Sequence, residues 1–528
     1  MERIVTIPDG RIEGLPAADP RITSFKGIPF AAPPVGQNRW RAPQPVQRWE
    51  GTLKAYQFAP ISKQTPPGKF KDIYAMEWSV DPSIPNSEDS LYLNIWTPNL
   101  DESANLPVFV WFFGGGLQVG SPAEMEFDGE RLSRRGVVVV TASYRLNVFG
   151  FLAHPQLALE QPEAPTNFGH LDQRQAILWV RDNIRSFGGN PKCITIGGQS
   201  AGGGSVMSQL TSPMNKGLFQ RAIVDSGVFH SVYEGHPTIM SGDYEEAMKR
   251  GEELFAALGV KTLEEARQLD ADVILDKVNE MHTFWGTNFD GVFQIRDAAD
   301  SFMMGDRLEI PVLMGNTHDE FHITVPADKF PGGREGLAAA KKACAPANTE
   351  ILFSGKEPDV EGADINSIEF ACRLMAESNA CREDSAPLFY YDFNLDIPGW
   401  DHPGNFHSSD LWFWFETLQK CWRPFVGRHY DAARIMCDYW ANFIKNGDPN
   451  GIDSGGIVSD GKGTISDYAG TQFAAEGPAL PQWDAYTKEA PYGLRIDSDS
   501  IGMFRKEMNP VMKALVNHMR KCSADKFS

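Results

Sequence analysis

The run Gly198-Gln199-Ser200-Ala201-Gly202 is the one GxSxG in the chain, and its spacing suits a nucleophilic serine. Glycines two residues to either side let the backbone turn so sharply that Ser200 Oγ stands exposed at a helix N-terminus. The flanks fit that geometry: the β-branched run Cys193–Ile196 precedes the motif, and a helix-like stretch, Ser205–Leu210, follows it. The same residues also read as an N-cap serine in a glycine-rich turn. Upstream, the apolar run Pro107–Phe113 leads into Gly114-Gly115-Gly116-Leu117-Gln118-Val119-Gly120-Ser121. Bare glycine amides after a strand can aim N–H groups at a developing oxyanion, with Ala201 N–H completing the hole beside Gly115 and Gly116. Such a loop can also cradle phosphate. The phosphate motifs themselves, GxxxxGK[ST] and a GxGxxG in register, are missing.

A serine hydroxyl needs a general base, and the base needs an orienting group. After the apolar run Ile310–Met314 comes Gly315-Asn316-Thr317-His318-Asp319-Glu320-Phe321-His322, which offers two adjacent carboxylates. Downstream of Glu320 lie His322, His402, His407, His429 and His518. His407 occupies a loop after the apolar run Leu388–Phe393, whereas His402 lies in a Pro/Gly turn, GWDHPG. His318 and His322, four residues apart with carboxylates between them, resemble HExxH. The Glu stands at the wrong position, however, the segment follows a strand, and no third ligand motif appears, so no metal and no cofactor are expected.

Elements able to position these groups are visible along the chain. Pro107–Phe113, Gly136–Ala142, Cys193–Ile196, Ala222–Asp225, Ile310–Met314 and Leu388–Phe393 are continuously apolar, as strands covered on both faces are. Amphipathic stretches, Leu171–Phe187 and Asp431–Lys445, each end at a Gly/Asn/Pro cluster. Strand–helix alternation predicts an α/β fold with a mostly parallel central sheet and helices on both faces. The first ~60 residues suggest a small antiparallel β extension, and Gly451–Leu480 a surface insertion. At ~150 residues per domain, 528 residues would allow several domains, but no linker divides them. One domain spanning 1–528 is expected.

The 69 acidic against 49 basic residues, net charge −20, disfavour nucleic acid and anionic membrane partners. No run of ~18 apolar residues could cross a membrane, and the N-terminus MERIVTIPDGRIEG lacks a signal-like apolar region. Seven cysteines, an odd number without a CxxC, read as mostly free thiols in a reducing, cytoplasmic compartment.

These motifs together resemble the type-B carboxylesterases, the carboxylesterase/cholinesterase branch of the α/β-hydrolases. The resemblance runs from Phe25-Lys26-Gly27-Ile28-Pro29-Phe30-Ala31 to Leu480-Pro481-Gln482-Trp483. It includes Ser87-Glu88-Asp89-Ser90-Leu91-Tyr92-Leu93-Asn94-Ile95, Tyr144-Arg145-Leu146-Asn147-Val148-Phe149-Gly150-Phe151 and Phe187-Gly188-Gly189-Asn190-Pro191. The resemblance implies an α/β-hydrolase fold, a Ser200–Glu320–His407 triad and Ser226 as a neighbour of the acid. The family's acid is the Glu of a DEG motif. Phe321 replaces that Gly, which leaves Asp319 as a rival. Gln199 stands where the family commonly has Glu, which weakens any case for a cationic choline ester. Ser90 and Ser62 stand where secreted members carry a disulfide.

The implied chemistry is hydrolysis of carboxylic esters through an acyl-enzyme, with a small-molecule ester and water as the partners of a monomer or homodimer. Phe113, Leu117, Phe284, Trp285, Trp412 and Trp414, together with Phe289, Tyr74 and Trp78, are candidate pocket walls favouring apolar or aromatic groups. Two alternatives stay open at this level: a catalytically silent adhesion or scaffold relative, and amide, thioester or acyl-transfer chemistry at the same site.

Overall fold

The computed structural model describes residues 3–65, 73–77, 81–236, 238, 240–344, 360–450, 480–505 and 507–527. Trp78 and nearly all of the expected insertion, 451–479, lie outside them.

Eleven strands form the main sheet. In chain order they are β1 (Leu15–Pro16), β2 (Thr23–Pro29), β3 (Tyr92–Thr97), β4 (Leu106–Phe112), β5 (Val138–Ala142), β6 (Gly189–Gln199), β7 (Arg221–Asp225), β8 (Val312–Thr317), β9 (Leu388–Asn394), β10 (Gly493–Asp497) and β11 (Ile501–Phe504). Their order across the sheet is β11-β10-β9-β8-β7-β6-β4-β5-β3-β2-β1. The seven strands from β10 to β5 pair in parallel, and the outer ones are antiparallel. All six apolar runs singled out above fall in this parallel centre. Val108, Phe109, Val110, Trp111 and Phe112 of β4 are fully buried, because neighbouring layers cover both faces.

The strand expected at Cys193–Ile196 is longer, starting at Gly189. Gly188, at φ +80°, ends the preceding 3₁₀ turn, and the chain pairs at once with Leu106. The register shifts between Gly189 and Ile194, and Pro191, which has no N–H to donate, is accommodated in that irregular stretch. Helix α1 (Phe168–Asn183) starts three residues before the expected Leu171, and α3 (Gly427–Asn446) starts before the expected Asp431. Between them α2 (Ala201–Thr211) follows β6, and α4 (Pro510–Phe527) closes the chain.

The N-terminal extension is a mixed sheet rather than an antiparallel one. Ile4–Ile7 pairs antiparallel with Gly10–Glu13, which pairs in parallel with Thr52–Lys54, while Thr23–Pro29 joins the main sheet. Buried apolar side chains from both ends of the chain belong to one contiguous cluster. Four segments converge at the C-terminal edge of the parallel strands: the glycine loop after β4, Ser200 after β6, Glu320 after β8 and the His407 loop after β9. In open parallel sheets that edge is where ligands bind.

Candidate active site

Ser200 sits between β6 and α2 at φ +54°, ψ −127°, and its side chain makes no capping hydrogen bond. The N-cap reading therefore fails: the turn spends strain to hold the hydroxyl out rather than to satisfy a helix N–H. The flanking glycines are required sterically. A Cβ on Gly202 would lie 2.1 Å from Phe112 O, and one on Gly198 would lie 2.4 Å from the Gly202 carbonyl carbon.

The glycine loop packs directly on this turn. A Cβ on Gly114 would stand 3.0 Å from Ser200 Cβ. Gly115 and Gly116 adopt φ +100° and +65°, and Gly115 O accepts from Gln118 N and Val119 N. Ala201 is the first helical residue, so its N–H has no acceptor within the helix. The loop is held by two side chains that the sequence reading did not single out. Gln64 pairs with Gly120 through both amide atoms, at 2.8 and 2.9 Å, and Gln118 Nε2 donates to Trp285 O at 2.5 Å.

The choice between the two carboxylates is decided by contact. Glu320 Oε2 lies 2.5 Å from His407 Nδ1, both side chains are almost wholly buried, and Thr317 N–H donates to Glu320 Oε1 at 3.0 Å. Asp319 points elsewhere and holds the histidine loop: its Oδ2 accepts Asn405 N–H at 2.8 Å, and its own N–H donates to Asn405 O. Phe321, in place of glycine, lies over His407 with ring centroids 4.6 Å apart. His402 sits in the 399–402 turn at φ +47°. His318 pairs with Asp392 and His322 with Asp364, so the HExxH-like pair splits between separate partners.

With Nδ1 facing Glu320, the acceptor of the neutral imidazole is Nε2. That atom lies 3.3 Å from Gln199 Nε2, and among the described residues no Ser200–His407 hydrogen bond is formed. Free active sites often leave the nucleophile–base bond unmade until substrate binds. Gln199, expected only as a neighbour of the nucleophile, thus occupies the base directly.

Beneath the triad lies a buried acidic layer that sequence did not reveal. Asp410 accepts from Tyr391 OH at 3.0 Å and from Trp414 Nε1 at 3.1 Å, and burial pushes its carboxyl up to about 6. Burial first, and then the Asp410 charge, hold the fully buried Asp225 carboxyl well above its ordinary value. Ser226, at φ +43°, lies next to Asp225 with Oγ buried and, among the described residues, makes no hydrogen bond to Glu320.

The aromatic candidates divide. Leu117 and Phe289 line a cavity of about 40 Å³ against Ala201, with Val228, Phe229 and Met240. Trp412 lines a cavity of about 400 Å³ with Met76, Met125, Trp400 and Trp422, and donates its indole N–H to the buried Glu77 at 3.3 Å. Phe113 and Trp414 are corrections: both are core residues, Phe113 stacked on Tyr144 at 4.4 Å and Trp414 on Trp440 at 4.9 Å. Trp285 is buried with its carbonyl clasped by Gln118, and Phe284 is exposed. Tyr74 packs edge-on against Phe406, the neighbour of His407. Where a disulfide is customary, Ser62 Oγ lies 3.0 Å from Ser90 Oγ.

Just past the glycine loop, burial pushes the Glu124 carboxyl up from 4.5 to about 8. The native state then holds a proton that the unfolded chain releases, so stability falls as pH rises through that interval. Glu124→Gln carries no such proton. Its thermal unfolding midpoint should fall less than that of the parent between pH 4.5 and 8, a comparison made by calorimetry of both proteins. Equal declines would refute the assignment.

Comparison with known proteins bears on this geometry. The model of the carboxylesterase family matches residues 1–338 and 363–512. The para-nitrobenzyl esterase of Bacillus subtilis (strain 168) is 31% identical over 465 residues, 85% of this chain and 91% of the relative. The fumonisin B1 esterase of Sphingopyxis macrogoltabida is 32% identical over 491 residues, 89% of this chain and 86% of the relative. A solved PNB esterase structure superposes with a TM-score of 0.73 at 26% identity, covering 98% of this chain and 99% of the other.

Proposed function

We propose, from the premise that this chain belongs to the carboxylesterase family and is a carboxylic ester hydrolase of the α/β-hydrolase fold, that Ser200, His407 and Glu320 cleave its esters through an acyl-enzyme. The observation that carries this is the 2.5 Å contact of Glu320 with His407 beside the strained, uncapped Ser200 turn. His407 Nε2 leaves Gln199 and takes the Ser200 proton as Oγ attacks the carbonyl carbon. The carbonyl oxygen becomes the oxyanion and is received by the N–H groups of Gly115, Gly116 and Ala201. Collapse breaks the ester C–O bond, and His407 returns the proton to the departing alcohol. The same imidazole then deprotonates water, whose attack on the acyl carbon breaks its bond to Ser200 Oγ; Oγ takes the proton back from His407 and the acid leaves. Glu320 orients the ring through Nδ1 and balances the imidazolium.

The walls support apolar or aromatic substrates. The space against Ala201, about 40 Å³, has room for little more than two or three waters, which supports a short acyl group. The cavity of about 400 Å³ walled by Trp400, Trp412 and Trp422 suits a larger aromatic alcohol. The unpaired state of the cysteines and the Ser62–Ser90 pair support a reducing, cytoplasmic address.

A panel of chromogenic esters varied in acyl and alcohol parts, with matched amides, tests this reading. Acetyl and propionyl esters of aromatic alcohols should give the highest kcat/KM, with long acyl chains and amides far lower. Preference for long acyl chains, or equal turnover of amides, would overturn it.

A further inference from the structure

A second constellation lies away from the triad, on the C-terminal helix. His518 and Cys522 are four residues apart on α4 and therefore share a face. Their ligand atoms are 3.5 Å apart, Cys522 Sγ to His518 Nε2. Glu234, in the segment after β7, brings a carboxylate oxygen so that all three donors lie within 4.8 Å of one another. It is the one such trio among the described residues. We propose that Glu234, His518 and Cys522 form a binding site for a divalent transition metal of the zinc class. This goes beyond the ester chemistry and does not depend on it.

The distances support the choice of metal. A tetrahedral zinc ion with Zn–S of about 2.3 Å and Zn–N of about 2.0–2.1 Å separates its sulfur and nitrogen ligands by about 3.6 Å. The free side chains already stand at 3.5 Å, so those two bonds need almost no rearrangement. Glu234 is exposed and can rotate inward to close the remaining gap. A sulfur, an imidazole nitrogen and a carboxylate match zinc or cobalt, whereas calcium and magnesium take all-oxygen sets.

The helix is also seated before any metal arrives. Ser523 Oγ donates to Asp300 Oδ1 at 3.2 Å and Lys526 pairs with Asp300 at 3.5 Å, so the two ligands on α4 are presented in place. On binding, the Cys522 thiol gives its proton to solvent and the thiolate electron pair forms the S–metal bond, releasing one proton per ion. The bound ion would strap α4 to the segment that begins at Gly227, whose Val228 and Phe229 wall the cavity beside Ala201.

The test is titration of the full-length, metal-stripped protein with Co²⁺. The expected result is a saturable near-ultraviolet thiolate-to-cobalt band with one equivalent bound, accompanied by the intense visible bands of tetrahedral cobalt and displaced by Zn²⁺. Cys522→Ser should lose the ultraviolet band, and His518→Ala and Glu234→Gln should each weaken binding tenfold or more, while ester turnover without added metal stays at the parent value in all three. Zn²⁺ should raise the unfolding midpoint of the parent and not that of Cys522→Ser. No saturable band, or a band that survives in Cys522→Ser, would overturn the site and leave the 3.5 Å contact as a plain S–H···N hydrogen bond.

Discussion

Replacing Ser200 with alanine is expected to lower kcat for ester hydrolysis by roughly 10⁶-fold while the protein stays folded. Alanine removes one hydroxyl that makes no capping hydrogen bond and, among the described residues, no other side-chain hydrogen bond, so little of the fold depends on it. The backbone strain at φ +54° is the same for either residue. What remains is catalysis by the oxyanion-hole amides and binding alone, about 10³–10⁴-fold over water. The measurement is kcat by stopped-time assay at high enzyme concentration, with circular dichroism to show an unchanged fold. Loss of less than about a hundredfold would mean that another group attacks the carbonyl.

The second large effect separates two neighbours that differ by one residue in sequence. Glu320→Gln should lower kcat by about 10⁴-fold, because an amide in contact with Nδ1 neither fixes the productive tautomer nor balances the imidazolium. Asp319→Asn should stay within about tenfold of the parent. Its carbonyl oxygen can still accept the Asn405 N–H, and a hydrogen bond of that kind is worth about 1 kcal/mol net. Parallel kinetics of the two variants decide the matter. Equal losses, or the larger loss in Asp319→Asn, would contradict the contact geometry.

That pair also shows how far sequence alone can see. The strand–turn–helix around Ser200 was legible, because a GxSxG after a β-branched run leaves few backbone solutions. The segments that carry acid and base were legible as loops after apolar runs, while the order of the three groups and the choice of His407 came from the family resemblance. The choice of Glu320 over Asp319 was not legible from spacing, since it depends on which way a turn after β8 faces, and only the family resemblance favoured Glu320. Aromatic side chains were the least legible. Phe113 and Trp414 have the same composition signature as Trp412, yet two stack in the core and one reaches a cavity. Asp225, Asp410 and Tyr391 come from three separate segments, so no local pattern announced the acidic layer under Glu320. Nor did any announce Gln64, whose grip on Gly120 spans 56 residues. The Glu234, His518 and Cys522 trio was not read from sequence either, because Glu234 lies in a segment far from the other two.

Covalent labelling with a fluorophosphonate, followed by intact-mass and peptide analysis, tests the central assignment most directly. Attack by an activated serine expels fluoride and leaves a stable phosphonyl ester. One adduct per chain is expected, located on Ser200, formed in step with the loss of esterase activity and absent from Ser200→Ala and greatly slowed in His407→Ala. Complete inactivation with the adduct on another residue, or full reactivity without His407, would contradict it.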